Sequence, residues 1–261
     1  MKIDDLPLWL LSGGTFAIVV LIMEAGYRWG RSAHRKSKDE KESPVSAIAG
    51  SILGLLAFMQ ALTFNIAYER YDTRKSLVRE EANILRTAFA RSAFLPETDR
   101  AQARQLLRNY VDARVAVVAG GDLAKTAPML AEAARIQDEL WRMAVVNARK
   151  DMNSDVAALY VESVNDLCSV HALRVAVGLQ ARIPGAVWTA LFALVVLGGI
   201  AVGYEIGIAA SKRSFGAPIL ALAFTIVLSL IALLDVPHNR LIPISQQPLL
   251  DLRAAMDRPQ P

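Results

Sequence analysis

Glu24 and Glu205 are the acids set well inside long apolar stretches of this 261-residue chain. A carboxylate at membrane depth is costly to hold and by default marks an ion or proton path. Glu24 precedes Arg28 by one helical turn and Glu205 precedes Lys212-Arg213 by two, which sets both near the same membrane face. Repeated around a symmetric assembly, they would form carboxylate rings, which favour cations. Pairing of Glu24 with Arg28 at i, i+4 is the plainer reading of the first. A second group lies in the next apolar stretch. Gln60, Thr63 (or Phe64), Ala67, Arg70 and Arg74 recur three and four residues apart, with Asn65 among them. A helix face that is polar at membrane depth must look into protein or into a water-filled cavity. This face is therefore expected to line a pore. The alternative is that Gln60 and Asn65 make hydrogen bonds between helices inside a packed bundle.

Other chemistries find little support. His34, His171 and His238 do not make metal-ligand spacings. No glycine-rich loop follows a strand, because strand patterns are absent. Cys168 is the only cysteine, so an intrachain disulfide is impossible. His171 follows it by three residues, but a buried structural thiol is the expected state. No enzyme, cofactor or metal site is expected. The arginines between residues 69 and 183 alternate with acids and form no stripe suited to nucleic acid. The mixture of Arg70, Arg74, Lys75 and Arg79 with Glu69, Asp72, Glu80 and Glu81 reads as a solvated, salt-bridged face.

The elements that must position these residues follow from composition. The chain is 54% hydrophobic yet 21% charged, which fits charges gathered in a separate aqueous part. Four apolar segments read as membrane spans: Leu6 to Tyr27, Val45 to Tyr68, Pro184 to about Ala210, and about Phe215 to Leu234. The second does not stop at the lipid. From Pro44 to Leu95 no further proline intervenes, and Leu77, Ile84, Leu85 and Ala88 keep helical spacing among charges. One helix is expected to cross the membrane and run on into water. Three more helices follow, over Glu97 to Ala119, Pro128 to Lys150 and Asp155 to Gln180, joined by short turns as in an antiparallel bundle. The expected fold is an all-α integral membrane protein. Residues 1–68 hold two spans and a basic loop, 69–183 an extramembrane helical bundle, 184–235 two further spans, and 236–261 a polar C-terminal tail. Gly50 and Gly54 on the second span, and Gly199, Gly203 and Gly207 on the third, form small-residue stripes that let helices approach closely in lipid. These stripes need partners, so a symmetric homo-oligomer, a tetramer or pentamer, is expected in the bilayer.

Orientation rests on the short loops. Both the run from Arg28 to Lys41 and the Ser211-Lys-Arg-Ser turn are basic. The positive-inside rule places them in the cytoplasm and the helical domain in the periplasm of a bacterial inner membrane. Arg70, Arg74, Lys75 and Arg79 vote the other way, but long domains translocate largely regardless of charge.

Gly54-Leu-Leu-Ala-Phe58, then Asn65, Tyr68, Arg70-Tyr71, Arg74, Asn83 and Arg86, resemble the second-helix pattern of bestrophin anion channels. The fuller run GLLAFMQALTFNIAYERYDTRKSLVREEAN is similar to the bacterial bestrophin-like membrane proteins. So are Asp235-Val-Pro-His-Asn-Arg and Ile244-Ser-Gln-Gln-Pro-Leu. The resemblance implies a symmetric oligomer with a central pore lined by the second helix. Bestrophins put bulky apolar residues at the pore neck and the aqueous region in the cytoplasm. The basic loops here point to the opposite side. The expected function is an ion channel or pore. The alternative is a non-conducting membrane sensor whose helical domain binds a ligand or partner.

Overall fold

The computed structural model describes residues 8–36, 42–119, 123–209, 216–236 and 241–258. Among these residues the ordered elements are all helical. They are α1 (Leu8–Lys36), α2 (Glu42–Arg91), α3 (Glu97–Ala119), α4 (Leu123–Ala148), α5 (Asp155–Val175), α6 (Gly185–Ile208), α7 (Gly216–Asp235) and α8 (Gln247–Met256). A 3-10 turn, Ser92–Phe94, ends α2, and a π turn, Ala176–Gln180, ends α5. The basic residues Lys38, Lys41, Lys212 and Arg213 of the two short loops, with His238, lie outside the described residues. α2, α6 and α7 are long and apolar enough to cross a membrane.

The chain divides into two compact units. The first holds residues 1–69 and 182–236 and contains α1, the apolar part of α2, α6 and α7. Its core is formed by Val19, Met23, Leu56, Leu191, Val195, Val202, Ala221 and Leu228. α1 and α6 meet backbone to backbone. A Cβ on Gly203 would collide with the carbonyl oxygen of Met23, and one on Gly207 would stand 2.5 Å from that of Tyr27. The other helix supplies its own gaps: a Cβ on Gly30 would strike the carbonyl of Tyr204, and one on Gly26 that of Ile200. Glycine is needed here because helix axes cannot come this close with any side chain between them. Trp29 packs edge-on against Tyr204, with ring centres 5.5 Å apart. Ser12 and Ser229 share a 2.8 Å hydrogen bond between α1 and α7. The buried Asp235 carboxylate accepts the Ile183 backbone N–H at 2.9 Å, tying the end of α7 to the residue before Pro184. The glycines of α2 behave otherwise. Among the described residues nothing lies within 4 Å of a Cβ built on Gly50 or Gly54.

The second unit holds residues 70–181 and 237–261. Its core takes Leu77, Leu85 and Phe89 from α2, Leu107, Tyr110 and Val111 from α3, Ile136 and Leu140 from α4, and Tyr160, Val164 and Leu167 from α5. Local chemistry sets the helix ends. Pro96 cannot continue α2 and opens α3, whose first turn carries Glu97 and Asp99, acids that suit a helix N-terminus. The Ser154 hydroxyl accepts the Ala157 N–H and caps α5. At the other end Ala181 donates to the carbonyl of Ala176 at 3.2 Å, a five-residue spacing that makes the last turn π rather than α.

The C-terminal stretch expected as a polar tail is corrected by α8. Leu249, Leu252 and Met256 share one helical face and are buried in the core of this unit. Arg108 on α3 donates to the carbonyl of Met256 at 2.7 Å, and Arg253 reaches Asp112 at 2.8 Å. Three apolar residues at helical spacing outweigh the proline-punctuated approach that precedes them.

Gly203→Val should disturb the α1–α6 contact and destabilise the protein by about 1–3 kcal/mol or more, the usual cost of overpacking. In detergent this reads as a thermal midpoint lowered by several degrees. A wild-type midpoint for Gly203→Val would contradict the backbone contact.

Candidate functional site

α2 carries the candidate residues, and its helical phase decides what each can do. At about 100° per residue, Phe58 and Gly54 lie about 20° from Asn65, and Ser51, Ala61 and Glu69 about 40°. All of these are exposed, Phe58 at 60%. Gln60, Thr63, Ala67, Arg70 and Arg74 lie about 140–180° away, on the opposite side. There Gln60 is 4% exposed, Thr63 1% and Arg74 5%, with Ala67 fully enclosed. Phe64 falls between the faces and stacks on Tyr68 at 6.3 Å. Arg70 is partly covered.

Most of the face expected to line a pore is covered within the single chain. A side chain enclosed by its own chain cannot present itself to a path shared between chains. Gln60, Thr63, Ala67 and Arg74 belong to the packed side of α2. Thr63 returns its hydroxyl to the Met59 carbonyl at 2.7 Å, and Arg74 donates to that of Arg70 at 3.2 Å. The Gln60 Nε2 is buried without a hydrogen-bond partner. Asn65 alone of the polar candidates within the apolar stretch is exposed, and it donates to the Glu69 carboxylate at 2.8 Å. Large apolar side chains flank it on the open side: Leu55, Leu62 and Ile66.

The two acids expected at membrane depth part company. Glu24 pairs with Arg28 at 2.9 Å. Glu205 is partly buried on α6, two residues from each of the contact glycines Gly203 and Gly207. Gly199, Gly203 and Gly207 face α1, and Gly50 and Gly54 face open space.

The second unit contains a polar cluster that the sequence reading did not single out. Glu81 on α2 is fully buried. It accepts from Arg174 on α5 and from the Tyr110 hydroxyl at 2.8 Å, and it forms an ion pair with Arg114 on α3 at 3.1 Å. The Nδ1 of His171 lies 3.0 Å from the same hydroxyl. Gln137 on α4 donates to the Leu167 carbonyl at 3.1 Å, and Arg174 reaches Gln246 at 3.4 Å. Helices α2, α3 and α5 are thus joined through one carboxylate. Burial pushes the Glu81 carboxyl up, and Arg174 and Arg114 outweigh it, so the group titrates below the ordinary carboxylate value. Burial drives the Tyr110 hydroxyl well above its usual range, with Glu81 adding to it, so it serves as a neutral donor. Glu81, assigned above to a solvated face, is corrected by its phase. It stands four residues from both Leu77 and Leu85, on the stripe that packs inward.

A sequence model described as the Bestrophin-like domain matches residues 13–249. A crystal structure of a bacterial bestrophin homologue from Klebsiella pneumoniae is similar at TM-score 0.63 and 13% identity, covering 95% of this chain and 99% of that one. Two structures of that homologue with single mutations match at TM-scores 0.60 and 0.58, each at 14% identity. They cover 95% and 92% of this chain and 99% and 94% of their own. At these identities the likeness is one of fold. No curated protein matches the chain.

Replacing Glu81 by Gln leaves Arg114 and Arg174 without their counter-charge, and breaking a buried pair in this way costs about 3–5 kcal/mol. Tyr110→Phe removes a neutral donor to the Glu81 carboxylate and the oxygen that His171 meets, without unpairing a charge, and should cost about 1.5–3 kcal/mol. Denaturant unfolding in detergent checks the order. Equal losses for the two variants would contradict the charge assignment.

Proposed function

The chain belongs to the Bestrophin-like family, and from that premise we propose that it is an ion channel rather than an enzyme. Identical copies assemble around an axis in the bacterial inner membrane, with the Asn65 face of α2 turned towards the path. The observation that carries this reading is the division of α2 into a closed and an open side. The open side holds Gly50 and Gly54 with no neighbour among the described residues, and it holds Asn65 and Glu69 where the apolar stretch gives way to charge. Lipid satisfies apolar side chains but not these polar ones. Copies of α2 meeting at Gly54 would leave Phe58 as an apolar constriction and Asn65 with Glu69 as its polar mouth. An apolar constriction can gate by dewetting.

α1 completes a four-span unit with α2, α6 and α7, since its glycines lock it to α6. The basic loops set the cytoplasmic side, which leaves the helical unit facing the periplasm. The alternative is a non-conducting sensor. A groove of about 710 Å³ between α2 and α5, lined by Arg79, Glu80, Asn83 and Asp166 among others, supports it as a ligand seat.

Purified protein fused into planar bilayers should give discrete unitary currents. Asn65→Ala and Phe58→Ala should change unitary conductance several-fold, and Gln60→Ala should leave it at the wild-type value. A folded protein that stays silent contradicts conduction and favours the sensor. Conductance that follows Gln60 and ignores both Asn65 and Phe58 contradicts the proposed face.

A further inference from the structure

The cluster around Glu81 is unbalanced. One carboxylate meets two guanidiniums, and the remaining members are neutral. His171 is the member whose charge can change near neutral pH. Tyr110 has one hydroxyl proton and donates it to Glu81. The contact from His171 Nδ1 to the same oxygen is therefore donated by the ring nitrogen. That fixes the neutral tautomer with its proton on Nδ1 and leaves Nε2 as the basic atom. The residue is half-buried, so solvent protons can reach it.

Each packed element sets its own groups around the cluster, and Tyr110 is the one in direct contact with the ring. α2 contributes Glu81, α3 contributes Tyr110 and Arg114, and α5 contributes Arg174 three residues on. α4 contributes the neutral Gln137, with Asp138 acting on Cys168, one turn before His171. The C-terminal segment contributes the neutral Gln246. Attraction from the single carboxylate is already shared by two arginines. The π turn Ala176–Gln180 begins directly after α5, five residues from His171. Such turns interrupt the regular hydrogen-bond ladder and often accompany functional sites.

The geometry points to His171 as an acid-triggered release. A proton taken from solvent at Nε2 brings a third cation to a cluster with one carboxylate, and this frees the end of α5 together with the π turn. Burial, followed by the charge of Arg114, pushes the imidazole of the closed form down to about 4 from its ordinary 6.5. The closed form thus holds His171 neutral while the released form binds a proton. Closure is fully favoured above about pH 6.5 and is lost progressively as pH falls towards about 4. Glu81 titrates below 4.5, so the upper part of this window belongs to His171. The switch acts within the helical unit and stands whether or not α2 copies form a conducting path.

Hydrogen exchange of the full chain in lipid nanodiscs reads it directly. Between pH 7 and pH 5, after correction for intrinsic rates, amides from Leu167 to Ala181 should exchange about tenfold faster, allowing for partial solvent screening. His171→Gln should abolish that change. Exchange that is flat in the wild type, or that rises equally in the variant, overturns the proposal. A second measurement leaves His171 intact. In a His34→Gln, His238→Gln protein, its ring-proton NMR titration should have a midpoint well below 6.5. A midpoint at or above 6.5 overturns the release.

Discussion

A helix shared by two compact units has to keep one side packed in each, and that requirement of phase governs α2. Leu56, Thr63 and Ala67 fall on the covered side in the first unit, and Leu77, Glu81 and Leu85 are covered in the second. An ideal helix of 50 residues spans about 75 Å. No proline after Pro44 breaks it before Pro96. The open side follows by subtraction. What is left uncovered at Gly54, Phe58, Asn65 and Glu69 is left for lipid, water or another copy of the chain.

Each unit has its own close-contact device that keeps its helices in place. In the membrane unit no hydrophobic drive separates helix from lipid, so α1 and α6 gain from proximity itself, through Gly26, Gly30, Gly203 and Gly207. In the second unit apolar burial supplies the drive, and the Glu81 cluster adds specificity. A carboxylate with no water must be met by its partners from α3 and α5 in one arrangement. Such a cluster is weak evidence of stability, since an apolar replacement often does as well. Its retention of a half-buried histidine beside two arginines is what suggests a pH-dependent use.

Much of the architecture was legible in the sequence. The unbroken run from Pro44, the breaks at Pro96 and Pro184, and the glycine stripe of the third span all reappear as α2, the start of α3, the start of α6 and the α1 contact. The partner glycines Gly26 and Gly30 were overlooked because they lie four residues apart at a span's end, among aromatic and basic residues. The faces of α2 were harder. Gln60, Thr63 and Ala67 have the spacing of a polar seam, and spacing cannot tell a seam that faces water from one buried against a neighbouring helix. Glu81, Arg114 and Arg174 looked like surface charges by type. Their register gave a different message: each lies three or four residues from buried apolar positions, Leu85, Val111 and Val170 respectively. The π turn left no mark, because Ala-Val-Gly-Leu-Gln is as compatible with an α turn.

The central claim is that the Asn65 side of α2 faces an ion path shared by identical chains. Single cysteines placed in a Cys168→Ala background test it most directly, through the rate at which a charged, water-soluble thiol reagent alters bilayer current. The account predicts fast modification and reduced current for Asn65→Cys and Phe58→Cys, with Gln60→Cys unreactive. A reactive Gln60→Cys beside inert Asn65→Cys and Phe58→Cys would contradict it.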